Sequence, residues 1–441
     1  SARAAARTSV LSRRWRHVWA DVPELILDGG GPDAPPSFLD VVDAALGAHA
    51  APTVERLLIA VGDADADAIT SDRAASWLRF AATRVAGTLS LLVPQGLGWW
   101  SSSLIPVELP VCGRAKRVTL QLRDAWRLQP PPPAAGVFMA LTALTILFGR
   151  MEGSELTALV STQCPCLRDL KLSLSLVHVS GVVSVHSDTL RSLQLCICNS
   201  TQVEVIAPRL EKLCVYDTFM GRISAPKLSE LFWTGGNADG SHQFDVVSRR
   251  LRLLEIVGLR SITKSLLQQF DEVEEMKLFM SIPKGTEGYR IFLNQTNKLP
   301  MCKTLHVSIL DFNHHGLAPT LLHLLKICNS TTKEVYFQLI PHDYQQEYSC
   351  PSSCPCRLPE SQMVDVMTLT SLEEVIICSH SKSYGELEFV QKLCKCNATS
   401  LKKLVTVHDN ERSRVHVESN EVTEKIRTLY PPNVKVEFYV I

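Results

Sequence analysis

Three cysteines in the C-terminal half of the sequence have a spacing that suggests metal chemistry. Cys350, Cys354 and Cys356 follow His342 closely, and thiolate with imidazole is a ligand set that Zn²⁺ prefers. The spacing Cys-x-x-x-Cys-x-Cys lacks the second clean pair of a typical structural zinc site. We therefore interpret the stretch as a loop with incidental cysteines, and the sequence predicts neither a metal site nor a cofactor.

Motifs of enzymatic chemistry are not found in the sequence. It contains no Gly-rich phosphate loop, no Gly-x-Ser-x-Gly and no His-Glu-x-x-His. Its hydroxyls, histidines and carboxylates fall in no recognisable catalytic order. We therefore expect no catalytic residues and predict that the protein is not an enzyme.

The amino-acid composition is typical of a folded protein with balanced charge. The 441 residues are 46% hydrophobic and 20% charged, and 45 basic residues offset 45 acidic ones. A nucleic-acid or membrane-surface binder would draw its affinity from a basic excess, and no apolar run is long enough to cross a bilayer. The sequence thus predicts neither nucleic acid nor a membrane as a partner.

Fourteen cysteines are spread over the whole length of the chain, often as Cys-x-Cys pairs. A long chain with scattered cysteines is better explained by free thiols than by a disulfide framework. We expect a reducing compartment, cytoplasmic and/or nuclear. An extracellular repeat receptor is the alternative, and four sequons would then matter: Asn199, Asn294, Asn329 and Asn397.

The pattern Leu-x-x-Leu-x-Leu recurs six times in succession, with steps of 23, 20, 18, 23 and 22 residues. One such unit cannot bury its apolar face alone, so neighbours must stack in register. The predicted fold class is therefore α/β, a leucine-rich-repeat solenoid with a parallel concave sheet and an irregular helical convex side. The regular copies begin at Leu167, Leu190, Leu210, Leu228, Leu251 and Val273. Degenerate copies begin at Val54, Ala115, Leu141, Cys302, Thr332, Leu372 and Leu401.

Longer steps between repeats carry helical apolar spacing. Residues 37–49, 71–85, 317–328 and 386–396 are predicted helices, and Ser37 and Ser71 are the expected N-caps. The proline run 130–133 must be a loop or a short polyproline stretch. We interpret it as a spacer between repeats, with docking to a proline-binding partner as the alternative.

Side chains that point outward from the concave strands are the predicted contacts for a partner. Aromatic residues exposed on a sheet suit a binding hot spot, and the mixed charges favour a protein or peptide partner over nucleic acid. The candidates are Lys171, Lys212, Tyr216, Glu230, Phe232, Glu255, Glu275, Lys277, Phe279 and Tyr336.

Three stretches give the chain a resemblance to a known family, the plant F-box/leucine-rich-repeat proteins with a C-terminal FBD-type extension. Residues 4–19 read AAARTSVLSRRWRHVW, and are similar to the C-terminal half of an F-box. Ala-Pro-Arg-Leu at 207–210 and Ala-Pro-Lys-Leu at 225–228 resemble the lead-in to repeat strands of this family. Residues 372–375, 386–390 and 401–404 resemble the FBD pattern. The implied domains are a half F-box at 1–25, the solenoid at 26–360, most regular at 167–280, and the FBD-like extension at 361–441.

The resemblance implies a substrate-recognition subunit of a ubiquitin ligase of the Skp/cullin/F-box type. In that family the F-box grips a Skp-type adaptor, and through it a cullin, while the repeats hold an unknown protein substrate for ubiquitylation. The implied adaptor contacts lie on one helical face: Leu11, Trp15, Val18 and Trp19.

The sequence from Ser1 onward lacks the first half of an F-box. Either the sequence is a piece of a longer protein or the coupling to the ligase has been lost. In the second case the chain is a non-ligase binding scaffold with a vestigial F-box.

Overall fold

The computed structural model describes residues 22–30, 37–96, 104–178, 181–216, 220–234, 243–258, 266–310, 315–327, 331–340, 350–357, 368–379, 384–396, 398–408, 428–430 and 433–440. The chain forms two compact units. Unit 1 comprises Ser1–Leu228 and Gln243–Val247, and unit 2 comprises Ser229–His242 and Ser248–Ile441.

Unit 1 contains a main sheet in which every described pairing is parallel. Neighbouring strands follow the order β1-β2-β3-β5-β7-β8-β10-β12, and β4 pairs with β6 beside β7. The strands are β1 (Glu24–Asp28), β2 (Val54–Ala60), β3 (Val85–Leu92), β4 (Ile105–Glu108), β5 (Arg117–Gln121), β6 (Trp126–Gln129), β7 (Ala143–Met151), β8 (Asp169–Leu176), β10 (Ser192–Cys198) and β12 (Lys212–Tyr216). Each strand of the main series lies beside the next one along the chain, as stacked repeats require.

The repeat pattern explains the register of this sheet. Leu170 pairs with Leu193, and Leu193 pairs with Leu213, so equivalent leucines of three repeats form one row. All three are at most 2% exposed. Because side chains alternate between the two faces of a strand, the leucine rows line the buried face and the intervening residues face outward.

A second parallel sheet forms in unit 1 where the repeats are shortest. It contains β9 (Gly181–His186), β11 (Ser200–Ile206), β13 (Met220–Ala225) and β15 (Gln243–Val247), in that order. Steps of 18 to 23 residues leave room for two strands and their turns but for little helix. An ion ladder crosses this sheet: Glu204 contacts His186 at 3.4 Å and Arg222 at 3.7 Å, and Arg222 pairs with Asp245.

Unit 2 contains eight neighbouring strands of the main sheet, which are also parallel in every described pairing. Their order is β14-β16-β17-β18-β19-β20-β21-β22. The strands are β14 (Glu230–Thr234), β16 (Arg250–Val257), β17 (Glu272–Ser281), β18 (Met301–Leu310), β19 (Glu334–Ile340), β20 (Glu374–Ser379), β21 (Lys403–His408) and β22 (Lys435–Val440). The leucine-rich-repeat fold predicted from the sequence is confirmed.

Helices occupy the longer steps between strands. They are α1 (Phe38–Ala48), α2 (Ser71–Arg84), α3 (Gly153–Ala158), α4 (Gly285–Gln295), α5 (Leu317–Ile327) and α6 (Tyr384–Lys395). The four helices predicted from apolar spacing correspond to α1, α2, α5 and α6, whereas α3 and α4 were not predicted.

The predicted N-caps need correction. Thr70, not Ser71, caps α2, because its hydroxyl accepts a hydrogen bond from the Arg73 amide at 3.3 Å. Ser37 occupies the N-cap position of α1 without a side-chain cap bond.

The proline run is held against its own unit. Gln163 Nε2 donates to the Pro131 carbonyl at 2.7 Å, and Pro133–Ala135 forms a single 3₁₀ turn. These contacts favour the interpretation of the run as a spacer.

Other features bear on the remaining sequence predictions. The described cysteines are free thiols. No helix among the described residues is long and apolar enough to span a membrane. Residues 1–21, which include Leu11, Trp15, Val18 and Trp19, lie outside the described residues, so the half F-box and its adaptor contacts stay predictions, as do the three domain boundaries.

Candidate binding surface

The outward face of the unit 2 sheet carries a line of large side chains, one from each of five neighbouring strands. Phe232 pairs with Glu255, Glu255 with Lys277, Lys277 with His306 and His306 with Tyr336. Parallel strands lie about 4.8 Å apart, so the five side chains are near neighbours. We call these five residues the central row, and all of them are half-buried.

Charged groups within and beside the central row neutralise one another. Glu275 lies two residues before Lys277 and so points to the same face of the sheet. It contacts Lys277 Nζ at 3.1 Å and His306 Nε2 at 3.6 Å. Burial lowers the pKa of His306 below its ordinary value, although Glu275 acts in the opposite direction. The imidazole is therefore neutral at pH 7, and the row presents one cation, one acid and three rings.

The aromatic end of the row is held firmly. The rings of His306 and Tyr336 lie 5.5 Å apart. Burial, and to a smaller extent a hydrogen bond with Cys378, raises the pKa of Tyr336 to about 12. The Tyr336 hydroxyl therefore stays protonated and can donate a hydrogen bond. Half-buried aromatic side chains with a fixed polar tip are typical of binding hot spots.

A second row at the start of the strands is acidic. Its glutamates are Glu230, Glu275, Glu334 and Glu374. Arg252 pairs with Glu230, and Lys403 contacts Glu374 at 2.8 Å. Together with the contact between Lys277 and Glu275, these ion pairs neutralise three of the four carboxylates.

The structure gathers the predicted unit 2 contacts on a single face. Phe232, Glu255, Lys277 and Tyr336 lie in the central row, and Phe279 lies one row further along, beside Ser308. His306 was missed by sequence reasoning. The only signal for it was its place between Leu305 and Val307 in a degenerate repeat.

The predicted unit 1 contacts share a face but are more dispersed. Lys171, Lys212 and Tyr216 point outward from the main sheet, and they occupy three different rows. Lys171 is flanked by Thr145 and Gln194, which are small or neutral. Nothing in this geometry tests the role of the predicted contact residues, and in both units that role remains a prediction.

One cluster of side chains that could hold a metal ion occurs among the described residues, and it joins the three cysteines to an unpredicted histidine. The Sγ atoms of Cys350, Cys354 and Cys356 lie 3.4, 3.7 and 3.8 Å from His315 Nδ1. All four side chains are buried. His342, the histidine considered from the sequence, lies outside the described residues.

Comparison with known proteins agrees with this architecture. Residues 74–251 match the family model for the leucine-rich repeats of FBD-associated F-box protein At5g56370. F-box/LRR-repeat protein 13 of Arabidopsis thaliana is 23% identical over 315 residues, which are 69% of this chain and 66% of that protein. F-box/FBD/LRR-repeat protein At5g56420 from the same plant is 28% identical over 43% of each chain.

The chain is similar to the plant F-box/FBD/leucine-rich-repeat proteins. A 27-residue stretch is also 67% identical to putative F-box protein At2g39415 of Arabidopsis thaliana, covering 6% of this chain and 23% of that protein. The family resemblance drawn from the sequence is thereby confirmed. The chain spans 66%, 39% and 62% of the length of three such relatives, which is less than two thirds in each case.

Proposed function

We propose that this protein is the substrate-recognition subunit of a ubiquitin ligase of the Skp/cullin/F-box type. The observation that carries the proposal is the central row, because it places aromatic and charged side chains of five successive repeats on one outward face. The family relationship supports an F-box protein in general. Beyond that, we propose that this chain contacts a Skp-type adaptor and recognises a protein substrate.

The proposed mechanism involves no chemistry by the chain itself. The repeats hold a target protein, and the F-box holds a Skp-type adaptor and through it a cullin. Holding two reactants close together raises their effective concentration, which accelerates transfer of ubiquitin to a target lysine. No catalytic residue is required for this role.

Adaptor binding is the direct test of the ligase assignment. The complete protein, with any F-box residues encoded before Ser1, is mixed with a Skp-type adaptor and its affinity is measured by titration. Trp15→Ala, on the predicted adaptor face, should weaken binding more than tenfold, because a buried aromatic hot spot contributes about 2 kcal/mol or more. Arg13→Ala, on the same predicted helix, should change affinity by less than about threefold.

Failure of the complete protein to bind the adaptor would remove the ligase assignment. The alternative is then a free-standing repeat scaffold that binds its partner through the same central row. Equal effects of the Trp15 and Arg13 variants would instead show that the predicted adaptor face is wrong.

A further inference from the structure

The cysteine and histidine cluster of unit 2 has the composition of a structural metal site. Cys354 is completely buried, Cys356 is 2% exposed and Cys350 is 7% exposed. His315 is buried as well, at 9% exposed. The ligand atoms of these four side chains all lie within 4.8 Å of one another.

The distances agree with tetrahedral coordination. Zinc lies about 2.3 Å from a cysteine sulfur and about 2.0–2.1 Å from a histidine nitrogen, so in a tetrahedron each sulfur is about 3.6 Å from the nitrogen. The three observed distances are 3.4, 3.7 and 3.8 Å. Disulfide formation does not account for this arrangement, because all three cysteines are free thiols placed around one imidazole nitrogen.

Hydrogen bonding does not explain why three sulfurs surround one imidazole nitrogen. A neutral imidazole has one lone pair, which accepts one hydrogen bond, yet three buried sulfurs surround Nδ1. Two of the three thiols therefore cannot donate to it. A single cation at the centre would satisfy the nitrogen and all three sulfurs together.

The surroundings of His315 fix the orientation that a metal needs. Its Nε2 lies 2.8 Å from the Pro283 carbonyl oxygen. A carbonyl only accepts, so Nε2 carries the proton and the lone pair of the neutral ring is on Nδ1, which faces the sulfurs. A backbone carbonyl that orients a ligating histidine through its second nitrogen is a recurrent feature of zinc sites.

Two glycines permit this close packing. A Cβ at Gly288 would lie 2.1 Å from the Pro283 oxygen, so only glycine allows α4 to approach that carbonyl. A Cβ at Gly316 would lie 3.3 Å from the Cys356 carbonyl oxygen, so glycine also allows the residues before α5 to approach the cysteine segment. The Tyr289 ring covers the imidazole at 4.9 Å.

We propose that His315, Cys350, Cys354 and Cys356 bind one structural Zn²⁺ ion. Four protein ligands leave no open coordination position, which distinguishes a structural site from a catalytic one. His315 lies just before α5, and the three cysteines lie within residues 350–357. The 3₁₀ turn Pro355–Arg357 packs against α4 and α5. The ion would fasten part of the long connection between β19 and β20 to these helices. This site is independent of the proposed ligase function.

Metal content of the full chain tests the proposal. The protein is produced with zinc in the medium, and metal is measured by mass spectrometry per mole of chain. We expect one zinc per chain, and at least a tenfold loss of zinc affinity in Cys354→Ser. Cys302→Ser is the matched control, since Cys302 is also a buried cysteine of unit 2 and lies outside the cluster. It should bind zinc as the unchanged chain does.

A second measurement covers the case in which Cys354→Ser does not fold. Cobalt(II) replaces zinc in the unchanged chain, and a tetrahedral site with three sulfurs should give intense visible bands and thiolate charge transfer. His315→Cys should retain a metal ion with shifted bands, whereas His315→Ala should lose it. Substoichiometric zinc, octahedral cobalt spectra, a disulfide among the three cysteines, or equal zinc loss in Cys302→Ser would each overturn the proposal.

Discussion

Individual side chains determine how this protein responds to acid. Thr296, just after α4, donates its hydroxyl proton to the Phe292 carbonyl, so its oxygen accepts a hydrogen bond from His323 Nε2 of α5 at 3.0 Å. The His323 ring lies 5.5 Å from that of Phe292. Burial, helped by nearby Lys326, lowers the pKa of His323 to about 4 from its ordinary 6.5. The folded protein thus keeps this ring neutral at a pH where the unfolded chain would bind a proton.

The sign of the pH dependence follows from this difference. Below pH 6.5 the unfolded chain gains a proton that the folded chain does not, so stability falls until the pH reaches about 4. The loss from this one residue is roughly 3 kcal/mol, at about 1.4 kcal/mol for each unit of pKa difference. Urea unfolding followed across this range should show the decline, and His323→Gln should make it shallower by about this amount.

His178→Gln is the control for that experiment. Its ring is 74% exposed, so the variant should keep the full decline. If the decline is equally steep in the unchanged chain and in the His323 variant, the assignment of this effect to His323 is wrong.

Sequence reasoning succeeded for residues in periodic patterns and failed for residues brought together by the fold. The outward positions Lys277 and Tyr336 follow from alternation along a strand. His315 could not be found in this way, because it lies 35 residues before Cys350 in the sequence. The motif Cys-x-x-x-Cys-x-Cys at 350–356 contains three of the proposed ligands. The fourth, His315, belongs to a different repeat.

At the scale of elements, the start of α2 can be tested with two neighbouring hydroxyls. Thr70→Ala removes the side chain that accepts from the Arg73 amide, and loss of such a cap costs about 1 kcal/mol. Ser71→Ala lies inside the helix, where alanine is favourable, so it should be neutral or slightly stabilising. The comparison uses denaturant unfolding of both variants, followed by circular dichroism. An equal loss in both would contradict the assignment of Thr70 as the N-cap.

Repeat spacing explains which elements could be predicted. Every regular and degenerate copy of the leucine pattern corresponds to a strand of a main sheet, for example β2 from Val54 and β21 from Leu401. The buried rows impose this outcome even where leucine is replaced, since any apolar side chain can fill the position. The terminal strands β1 and β22 carry weaker patterns and were not predicted.

The second sheet of unit 1 was also not anticipated. Strands such as β9 and β11 are partly polar, and pairing between neighbouring repeats of a stack supplies much of their stability. Only the short steps between the regular copies indicated that helices would not fit there.

For the whole molecule, the two units each offer an outward sheet face, but they differ in chemistry. The face of unit 2 concentrates rings and charges in the central row. That of unit 1 carries its predicted contacts in separate rows among small or neutral side chains. A partner that needs a compact hot spot would therefore be bound mainly by unit 2.

Partner capture by matched variants tests the central claim most directly. The complete protein is isolated from its native cells, and proteins that co-purify are quantified and assayed for ubiquitylation with adaptor and cullin added. Lys277→Glu reverses a charge in the central row, while Arg290→Glu makes the same change on the exposed surface of α4. We predict that a ubiquitylated partner is reduced at least tenfold by Lys277→Glu and retained by Arg290→Glu. Equal capture by the two variants, or no partner that becomes ubiquitylated, would contradict the account.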